Sequence, residues 1–166
     1  MMQNNIKVIS CGGTFEKIYD PISGDLAFKT SQLKNLFLKA RLFTNINFEC
    51  LMMIDSLDME NFHRRKIAER IKKSKEEKLL VIHGTDTMVE TSYEIKKSIR
   101  KTQCVILTGA MVPASMKNSD AFFNLGFALA ALKLSEPGVW ITMNGEVFKH
   151  SQVKKNTDLG LFESLN

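Results

Sequence analysis

The sequence predicts an α/β fold in three layers, a mostly parallel sheet with helices on both faces. Short runs rich in β-branched residues alternate with helical patterns along the chain, which is the order of elements in parallel α/β domains. Within these runs apolar and polar residues hardly alternate, as is typical of strands that are buried on both faces. The 166 residues, 44% of them hydrophobic, suffice for one domain with a full-sized core.

The first half of the chain predicts strands separated by a long loop and by helices. An apolar run at 6–10 ends at two glycines, which predicts a strand followed by a tight turn. Residues 15–30 show no periodicity and carry turn-forming residues, so we expect a loop that is long enough to act as a lid. The elements that follow are a weak helix at 31–39, a strand at 48–54 and a helix at 59–75.

The second half continues the alternation and ends in a polar tail. The predicted elements are a strand at 79–82, a helix that begins at Thr87, a strand at 105–107, a loop at 109–118, a helix at 119–134 and a strand at 139–143. Thr87 and Glu90 stand at capping-box spacing, which predicts that the Thr87 side chain caps its helix. Residues 144–166 form the polar tail, in which Phe162 is isolated and no further element is predicted.

The distribution of charge and the first residues of the chain argue against a nucleic-acid partner and a membrane partner. The net charge of +5 alone would suit an anionic partner. The densest basic run, at 64–78, is interrupted by glutamates and is typical of the solvated face of a helix, so we expect no nucleic-acid partner. The first residues do not resemble a signal peptide, and no apolar run approaches membrane-spanning length. We therefore expect a cytoplasmic protein with no membrane partner.

The cysteines and histidines indicate neither a disulfide framework nor a metal site. Cys11, Cys50 and Cys104 are far apart and odd in number, and no pair has metal-ligand spacing. Each lies in or beside an apolar run, which predicts three buried free thiols. The three histidines are dispersed, and we expect His83 to have a structural or supporting role.

Small, hydroxyl-bearing and acidic residues follow the predicted strands. They are Gly12-Gly13-Thr14, Asp55-Ser56, Gly84-Thr85-Asp86, Thr108-Gly109-Ala110-Met111 and Asn144-Gly145. Ligands of parallel α/β sheets bind beyond the carboxyl ends of the strands. Taken singly, each segment could be a turn or a cap, as Ser56 could be for a helix before Glu60. Together they predict a binding or active site, although no nucleotide-binding fingerprint is present.

Three of these segments carry a resemblance to a known family. They are the GGT segment 12–14, the HGTDTMVET segment 83–91, and a third segment made of Thr108 to Met111, Pro113, Ser119, Asp120, Asn124 and Leu125. In order and spacing the chain resembles the bacterial-type L-asparaginases, which hydrolyse L-asparagine to aspartate and ammonia. The resemblance covers only the N-terminal domain of that family. It implies a single catalytic domain over 1–166, no C-terminal domain, and no cofactor.

The resemblance also implies the catalytic residues. Thr14 matches the threonine that attacks the side-chain carbonyl and forms an acyl intermediate, a step for which a hydroxyl needs an activating base. Thr85 matches a second threonine, which is backed by Asp86 and a lysine. Lys155 aligns best with that lysine, and Lys154 is the alternative; both could instead be surface lysines.

The same resemblance implies how the substrate is held. The substrate-binding residues that it implies are Gly13, Ser56, Gly84, Thr85, Asp86, Ala110 and Met111. Asp86 is expected to meet the α-ammonium group and Ser56 the α-carboxylate. Backbone N–H groups near Gly13 or Thr85 are expected to bind the oxyanion. Tyr19 either helps to activate Thr14 or is an aromatic that packs in the lid.

Two departures from the family pattern leave other functions open. Leu57 stands where many members place a residue that hydrogen-bonds the substrate. The family also completes its sites with the C-terminal domain of a neighbouring subunit, so we expect a homodimer or higher homo-oligomer to close the site. Besides an asparaginase, the alternatives are a non-catalytic module that binds asparagine or aspartate and a hydrolase of another small amide.

Overall fold

The computed structural model describes residues 5–42 and 44–165. Within them the strands are β1 (Ile6–Gly12), β2 (Lys17–Tyr19), β3 (Leu26–Phe28), β4 (Ile46–Ile54), β5 (Lys78–Ile82), β6 (Cys104–Thr108), β7 (Gly138–Met143), β8 (Glu146–Lys149), β9 (Val153–Asn156) and β10 (Leu161–Ser164). The α-helices are α1 (Leu33–Lys39), α2 (Asn61–Lys73), α3 (Met88–Lys96) and α4 (Ala121–Leu134).

Six strands form the central sheet in the order β4-β1-β5-β6-β7-β8. The first five are parallel to one another, and β8 runs antiparallel to β7 at the edge. Helices α2 and α3 contribute to the core cluster on one face of the sheet, and α1 and α4 to the cluster on the other. The predicted three-layer α/β fold is confirmed.

The central strand β5 shows why apolar and polar residues do not alternate in the sequence. Leu79 and Val81 belong to one core cluster, whereas Leu80 and Ile82 belong to the other. Successive side chains of a strand point to opposite faces. Because helices cover both faces, all four side chains are fully buried and all four are apolar.

The segment 15–30, predicted to be an irregular loop, contains the hairpin β2–β3. Its turn is closed by backbone hydrogen bonds, from Asp20 N to Asp25 O and from Gly24 N to Asp20 O, each 2.8 Å long. The Asp20 carboxylate also accepts the backbone N–H of Ile22 at 3.0 Å. Each strand has only three residues, which is too short to produce a periodic pattern in the sequence.

The segment 144–166, predicted to be a polar tail, forms three strands over its described part, which ends at 165. Asn144 and Gly145 have φ values of 56° and 79°, as a tight hairpin turn requires, and this turn folds β8 back against β7. β9 and β10 pair with each other. Their inward side chains include Val153 and Phe162, and Phe162 is 5% exposed and part of a core cluster. The pattern was missed because these strands are short and apolar on one face only.

Two of the three cysteines are buried free thiols, as predicted. Cys11 and Cys104 are buried, but Cys50 is exposed, so the prediction was wrong for that residue. The reason is topological. Cys50 lies in β4, which is an edge strand and has only β1 as a neighbour in the sheet.

Candidate active site

Two glycines bring the ends of β1 and β5 into close contact. Gly13 has a φ of 71°, and a side chain at this position would collide with the backbone of Gly84. A side chain at Gly84 would in turn lie 2.5 Å from Ser56 Oγ, at the end of β4. Three strand ends therefore converge on one point, which places Thr14 and Thr85, each next to one of these glycines, at the same edge of the sheet.

Thr14 begins a short 3-10 turn, Thr14–Glu16, and is half-buried. The turn is held by Glu16, a fully buried carboxylate. It accepts hydrogen bonds from Ser10 Oγ at 2.6 Å, from Ser31 Oγ at 2.7 Å and from the backbone N–H of Gln32 at 2.8 Å. These bonds tie the turn to β1 and to the start of α1, so Thr14 is carried by a fixed piece of backbone.

Lys155 connects Thr85 with Asp86. Its Nζ donates to Thr85 Oγ1 at 2.8 Å and lies 2.6 Å from Asp86 Oδ1. The Lys155 side chain is only 11% exposed. Lys154, the alternative lysine, points the other way and pairs with Glu163 at 3.1 Å, because adjacent residues of β9 face opposite sides.

His83 supports the segment that carries Thr85. The imidazole is fully buried, with Nδ1 2.8 Å from the carbonyl oxygen of Gly84 and Nε2 2.8 Å from Thr91 Oγ1. Burial lowers the pKa of His83 to about 4, so the ring is neutral at pH 7. A carbonyl oxygen only accepts, so Nδ1 donates to Gly84 and Nε2 accepts from Thr91. A hydrogen bond thus joins the first residue of the HGTDTMVET segment, His83, to its last residue, Thr91.

The capping role predicted for Thr87 was wrong. α3 begins at Met88 and Thr87 occupies the N-cap position, but its side chain makes no capping hydrogen bond. Thr87 Oγ1 instead donates to the backbone carbonyl of Ser56 at 2.7 Å. Thr87 N lies 3.4 Å from Ser56 Oγ, and Ser56 is fully buried beneath Gly84. Ser56 does not cap α2 either, because the N-cap of that helix is Glu60.

The loop after β6 brings Ala110 and Met111 to the same edge. Ala110 is buried, whereas Met111 is 38% exposed, and its Sδ lies 3.6 Å from Thr85 Oγ1. The Asp120 carboxylate accepts the backbone N–H groups of Met111 and Val112 at 2.9 to 3.1 Å. Asn124 Nδ2 donates to the carbonyl of Gly109 at 3.0 Å. Polar residues at the start of α4 therefore hold this loop in place.

Tyr19 lies in β2, at the hairpin, and is 56% exposed. Its hydroxyl makes no hydrogen bond within the described residues, to Thr14 or to any other group, so its part in activating Thr14 stays a prediction. Lys17, also in β2, and Asp55, which follows β4, form an ion pair of 2.5 Å. Asp55 is one of the strand-end residues noted in the sequence, but no role was predicted for Lys17, because nothing in the sequence points to a lysine 38 residues away.

Neither a metal cluster nor a membrane-spanning helix occurs in the parts of the chain that the structure describes. No group of three or more histidine, cysteine or acidic side chains within 5–42 and 44–165 could hold a metal ion. No helix in the same ranges is long and apolar enough to cross a membrane.

Fold and site together define a three-layer α/β domain in which a lysine joins a threonine and an aspartate at the carboxyl edge of the sheet. The family model described as "Asparaginase, N-terminal" matches residues 5–166. The chain therefore belongs to the asparaginase family, as the resemblance in its three segments predicted.

Individual relatives agree with this assignment. L-asparaginase 2 of Escherichia coli strain K12 is 31% identical over 98% of this chain and 50% of its own length. A glutamyl-tRNA(Gln) amidotransferase subunit of Methanosphaera stadtmanae is 29% identical over 86% of this chain and 34% of its own. Among solved structures, the thermostable L-asparaginase from Thermococcus kodakarensis superposes with a TM-score of 0.85 at 26% identity, over 96% of this chain and 51% of that one. The chain spans about half the length of the asparaginases that it matches.

Proposed function

We propose that this domain hydrolyses the side-chain amide of L-asparagine to L-aspartate and ammonia, with Thr14 as the nucleophile. The observation that carries the proposal is the contact of one lysine, Lys155, with both Thr85 and Asp86. The close approach of Gly13 to Gly84, which precede Thr14 and Thr85 in the chain, supports a site that the two threonines share. Membership of the asparaginase family supports the same reaction.

The proposed reaction has two steps. Thr14 Oγ attacks the amide carbon, its proton passes to the amide nitrogen, and the C–N bond breaks so that ammonia leaves. Water then attacks the acyl–threonine ester, which releases aspartate and restores the hydroxyl. Lys155 and Asp86 hold Thr85 in one orientation, from which its hydroxyl relays a proton at this edge. The backbone N–H of Thr85 is the proposed donor to the oxyanion, since that of Gly13 already donates to the carbonyl of Ile54 at 2.9 Å.

The test is ammonia release from L-asparagine and L-glutamine by the wild type and by Thr14→Ala. Thr102→Ala is the matched control, because Thr102 is exposed and lies before β6, at the opposite edge of the sheet. We expect turnover of L-asparagine by the wild type and the control, and its loss in Thr14→Ala. Turnover that survives in Thr14→Ala would exclude Thr14 as the nucleophile.

A second candidate is hydrolysis of a different amide. Leu57, 72% exposed next to Ser56, offers no hydrogen bond to a substrate. An amidotransferase subunit is also among the relatives. A panel of small amides, including D-asparagine and aspartyl dipeptides, separates the candidates by their kcat/KM values. Binding of L-aspartate without turnover of any amide would favour the non-catalytic module.

Three further proposals concern the whole protein. We propose that residues 1–166 form one catalytic domain, that the protein works as a homodimer or higher homo-oligomer, and that it is cytoplasmic. The assembly is proposed because a neighbouring copy can enclose a site that lies at the edge of a sheet. Analytical ultracentrifugation with and without L-aspartate tests the assembly, and a monomer that is fully active would contradict it.

A further inference from the structure

The hairpin β2–β3 has no buried residue of its own. None of residues 17–30 is buried, and Ile22, at the turn, is 96% exposed. The chain becomes fully buried on either side of the hairpin, at Phe15 and Glu16 before it and at Leu33 after it. A segment with so little packing opens easily, so the position of the hairpin depends on what holds its base.

The first strand of the hairpin contacts segments on both sides of the strand pair β1–β5. Lys17 Nζ pairs with Asp55, which follows β4, and Lys17 O accepts Ser115 Oγ, from the loop after β6, at 3.1 Å. The sheet order β4-β1-β5-β6 puts β1 and β5 between these two contacts. The hairpin therefore lies at the carboxyl ends of the strands that precede Thr14 and Thr85, which is the position of a lid for the candidate site.

A single side chain, that of Glu16, closes the base of this hairpin. Glu16 directly precedes β2, and its carboxylate accepts Ser31 Oγ at 2.7 Å and the backbone N–H of Gln32 at 2.8 Å, both from the segment after β3. The oxygen that accepts Ser31, Oε1, also accepts Ser10 Oγ of β1 at 2.6 Å. One buried group thus joins the central sheet, the turn that begins at Thr14 and the returning end of the hairpin.

The three hydrogen bonds of Glu16 need a carboxylate. All three partners are donors, and both carboxylate oxygens accept, whereas the amide of a glutamine accepts at one end only. A buried carboxylate that loses a donor is costly, because water cannot replace the missing hydrogen bond. Glu16 therefore keeps the base of the hairpin closed while the exposed tip remains free to move.

We propose that Glu16 is a positioning residue, which sets the Thr14 turn through Ser10 and holds the lid hairpin at its base through Ser31 and Gln32. The inference rests on the proposed function, because the turn carries the proposed nucleophile and the hairpin covers its substrate. Glu16 is fully buried and acts through these neighbours, not on the substrate. Its two arms have separate effects, since the contact with Ser10 orients the turn and the contact with Ser31 holds the lid.

The kinetic test separates the two arms. Ser31→Ala removes the lid arm, and we expect it to raise KM for L-asparagine by about 2- to 10-fold with kcat within about twofold, since a looser lid weakens ground state and transition state alike. Ser10→Ala removes the arm to the turn and should lower kcat by about 2- to 10-fold, because a misplaced Thr14 stabilises the transition state less well. Glu16→Gln should do both. Ser31→Thr keeps the hydroxyl and should behave as the wild type.

Hydrogen exchange of the free protein, followed by mass spectrometry, tests the lid arm without any activity. Ser31→Ala and Glu16→Gln should speed exchange in peptides from 17–30 by about 2- to 10-fold. Ser10→Ala should leave this exchange unchanged, because opening of the hairpin breaks the contact of Glu16 with Ser31 but not the contact with Ser10. A merely structural role of Glu16 would give the same change in all three variants.

Ser151→Ala and Glu69→Gln are the matched controls, since both residues are exposed, Ser151 beyond β8 at the opposite edge of the sheet and Glu69 on α2. Neither should change the kinetics or the exchange of the hairpin. A thermal unfolding scan of each variant confirms that it is folded, and if Glu16→Gln does not fold, the two serine variants decide.

The outcomes distinguish this inference from the proposed function. Hairpin exchange that is equal in Ser31→Ala and the wild type, or equal effects of Ser10→Ala and Ser31→Ala on KM and on kcat, would overturn the role of Glu16 while leaving the amidohydrolase proposal intact. If the wild type releases no ammonia from any amide, the proposed hydrolysis fails and hydrogen exchange alone decides. Faster exchange in Ser31→Ala and Glu16→Gln, but not in Ser10→Ala, would then still support the role of Glu16 in holding the hairpin.

Discussion

Two adjacent lysines show how a single step along a strand decides between a residue of the candidate site and a surface residue. Lys155 points inward and contacts Thr85 and Asp86, whereas Lys154 points outward to Glu163. The Lys155 side chain is 11% exposed, so its charge is largely shielded from water. An exposed ion pair such as that of Lys154 contributes little to stability.

We expect Lys155→Met to reduce kcat for L-asparagine by roughly 10²- to 10⁴-fold, the range seen when a proton-transfer group is lost. Lys154→Met, the matched control, should leave kcat within about threefold, because its side chain lies outside the site. Steady-state ammonia release measures both. A larger loss in Lys154→Met than in Lys155→Met would reverse the assignment.

Stability should depend on pH through His83. Its pKa is lowered from 6.5 to about 4 in the folded protein, so the unfolded chain binds a proton at a pH where the native ring does not. The contribution of His83 is therefore complete above pH 6.5, is lost as the pH falls towards 4, and amounts to about 3 kcal/mol. Urea unfolding at a series of pH values measures it.

His83→Gln is the control for this titration, since glutamine does not titrate and can donate and accept hydrogen bonds. The wild-type free energy of unfolding should fall relative to that of the variant between pH 6.5 and 4. Parallel curves for the two proteins across this window would show that His83 does not titrate as inferred.

At the scale of elements, the site depends on contacts between segments that are far apart in the sequence. Thr87, at the start of α3, donates to the carbonyl of Ser56 after β4, over a sequence separation of 31 residues. Asp120 and Asn124, at the start of α4, hold the loop that carries Ala110 and Met111. α3, which follows β5, therefore holds the segment after β4, and α4 holds the loop after β6, the strand that precedes it.

We expect Thr87→Val to destabilise the protein by about 1 kcal/mol, because the Ser56 carbonyl loses the hydrogen bond from the Thr87 hydroxyl and keeps only the longer one, 3.3 Å, from the backbone N–H of Met59. Thr87→Ser should be nearly neutral, since it keeps the hydroxyl. Denaturant unfolding of both variants is the measurement. Equal destabilisation by valine and serine would mean that the methyl group, and not the hydrogen bond, is what stabilises this contact.

On the scale of the whole molecule, exposure of the thiols follows the sheet order. Cys11 and Cys104 lie in the covered strands β1 and β6, and burial raises the pKa of both. Cys50 lies on the edge strand β4 and is exposed, although burial still raises its pKa. Position in the sheet therefore sets which thiol meets solvent.

A thiol reagent such as iodoacetamide should label Cys50 in the native protein and all three cysteines after unfolding. Labelling of Cys50 should be slow near neutral pH, because its raised pKa leaves little thiolate. Peptide mass spectrometry identifies the modified residue. Rapid native labelling of Cys11 or Cys104 would show that the sheet opens locally.

The sequence by itself determined the layers, the parallel sheet and the strand ends at which the candidate site lies. It did so because these features have local causes. Strands that are buried on both faces are apolar throughout, and the glycines before Thr14 and Thr85 allow two segments of the chain to approach closely. The resemblance to the asparaginase family added Asp86 and, with Lys154 as the alternative, Lys155 to the predicted site. Where a strand was very short or was apolar on one face only, as in 15–30 and in the tail that contains Phe162, the sequence pattern did not reveal it.

Only the tertiary structure decided which groups meet. It showed that Lys155 and not Lys154 reaches Thr85, that Thr87 bridges to Ser56 instead of capping its helix, and that Lys17 pairs with Asp55. These contacts join residues 31 to 70 positions apart. A local pattern specifies the element that carries a side chain, but the packing of the elements specifies its partner, and the chemistry of the site depends on the partner.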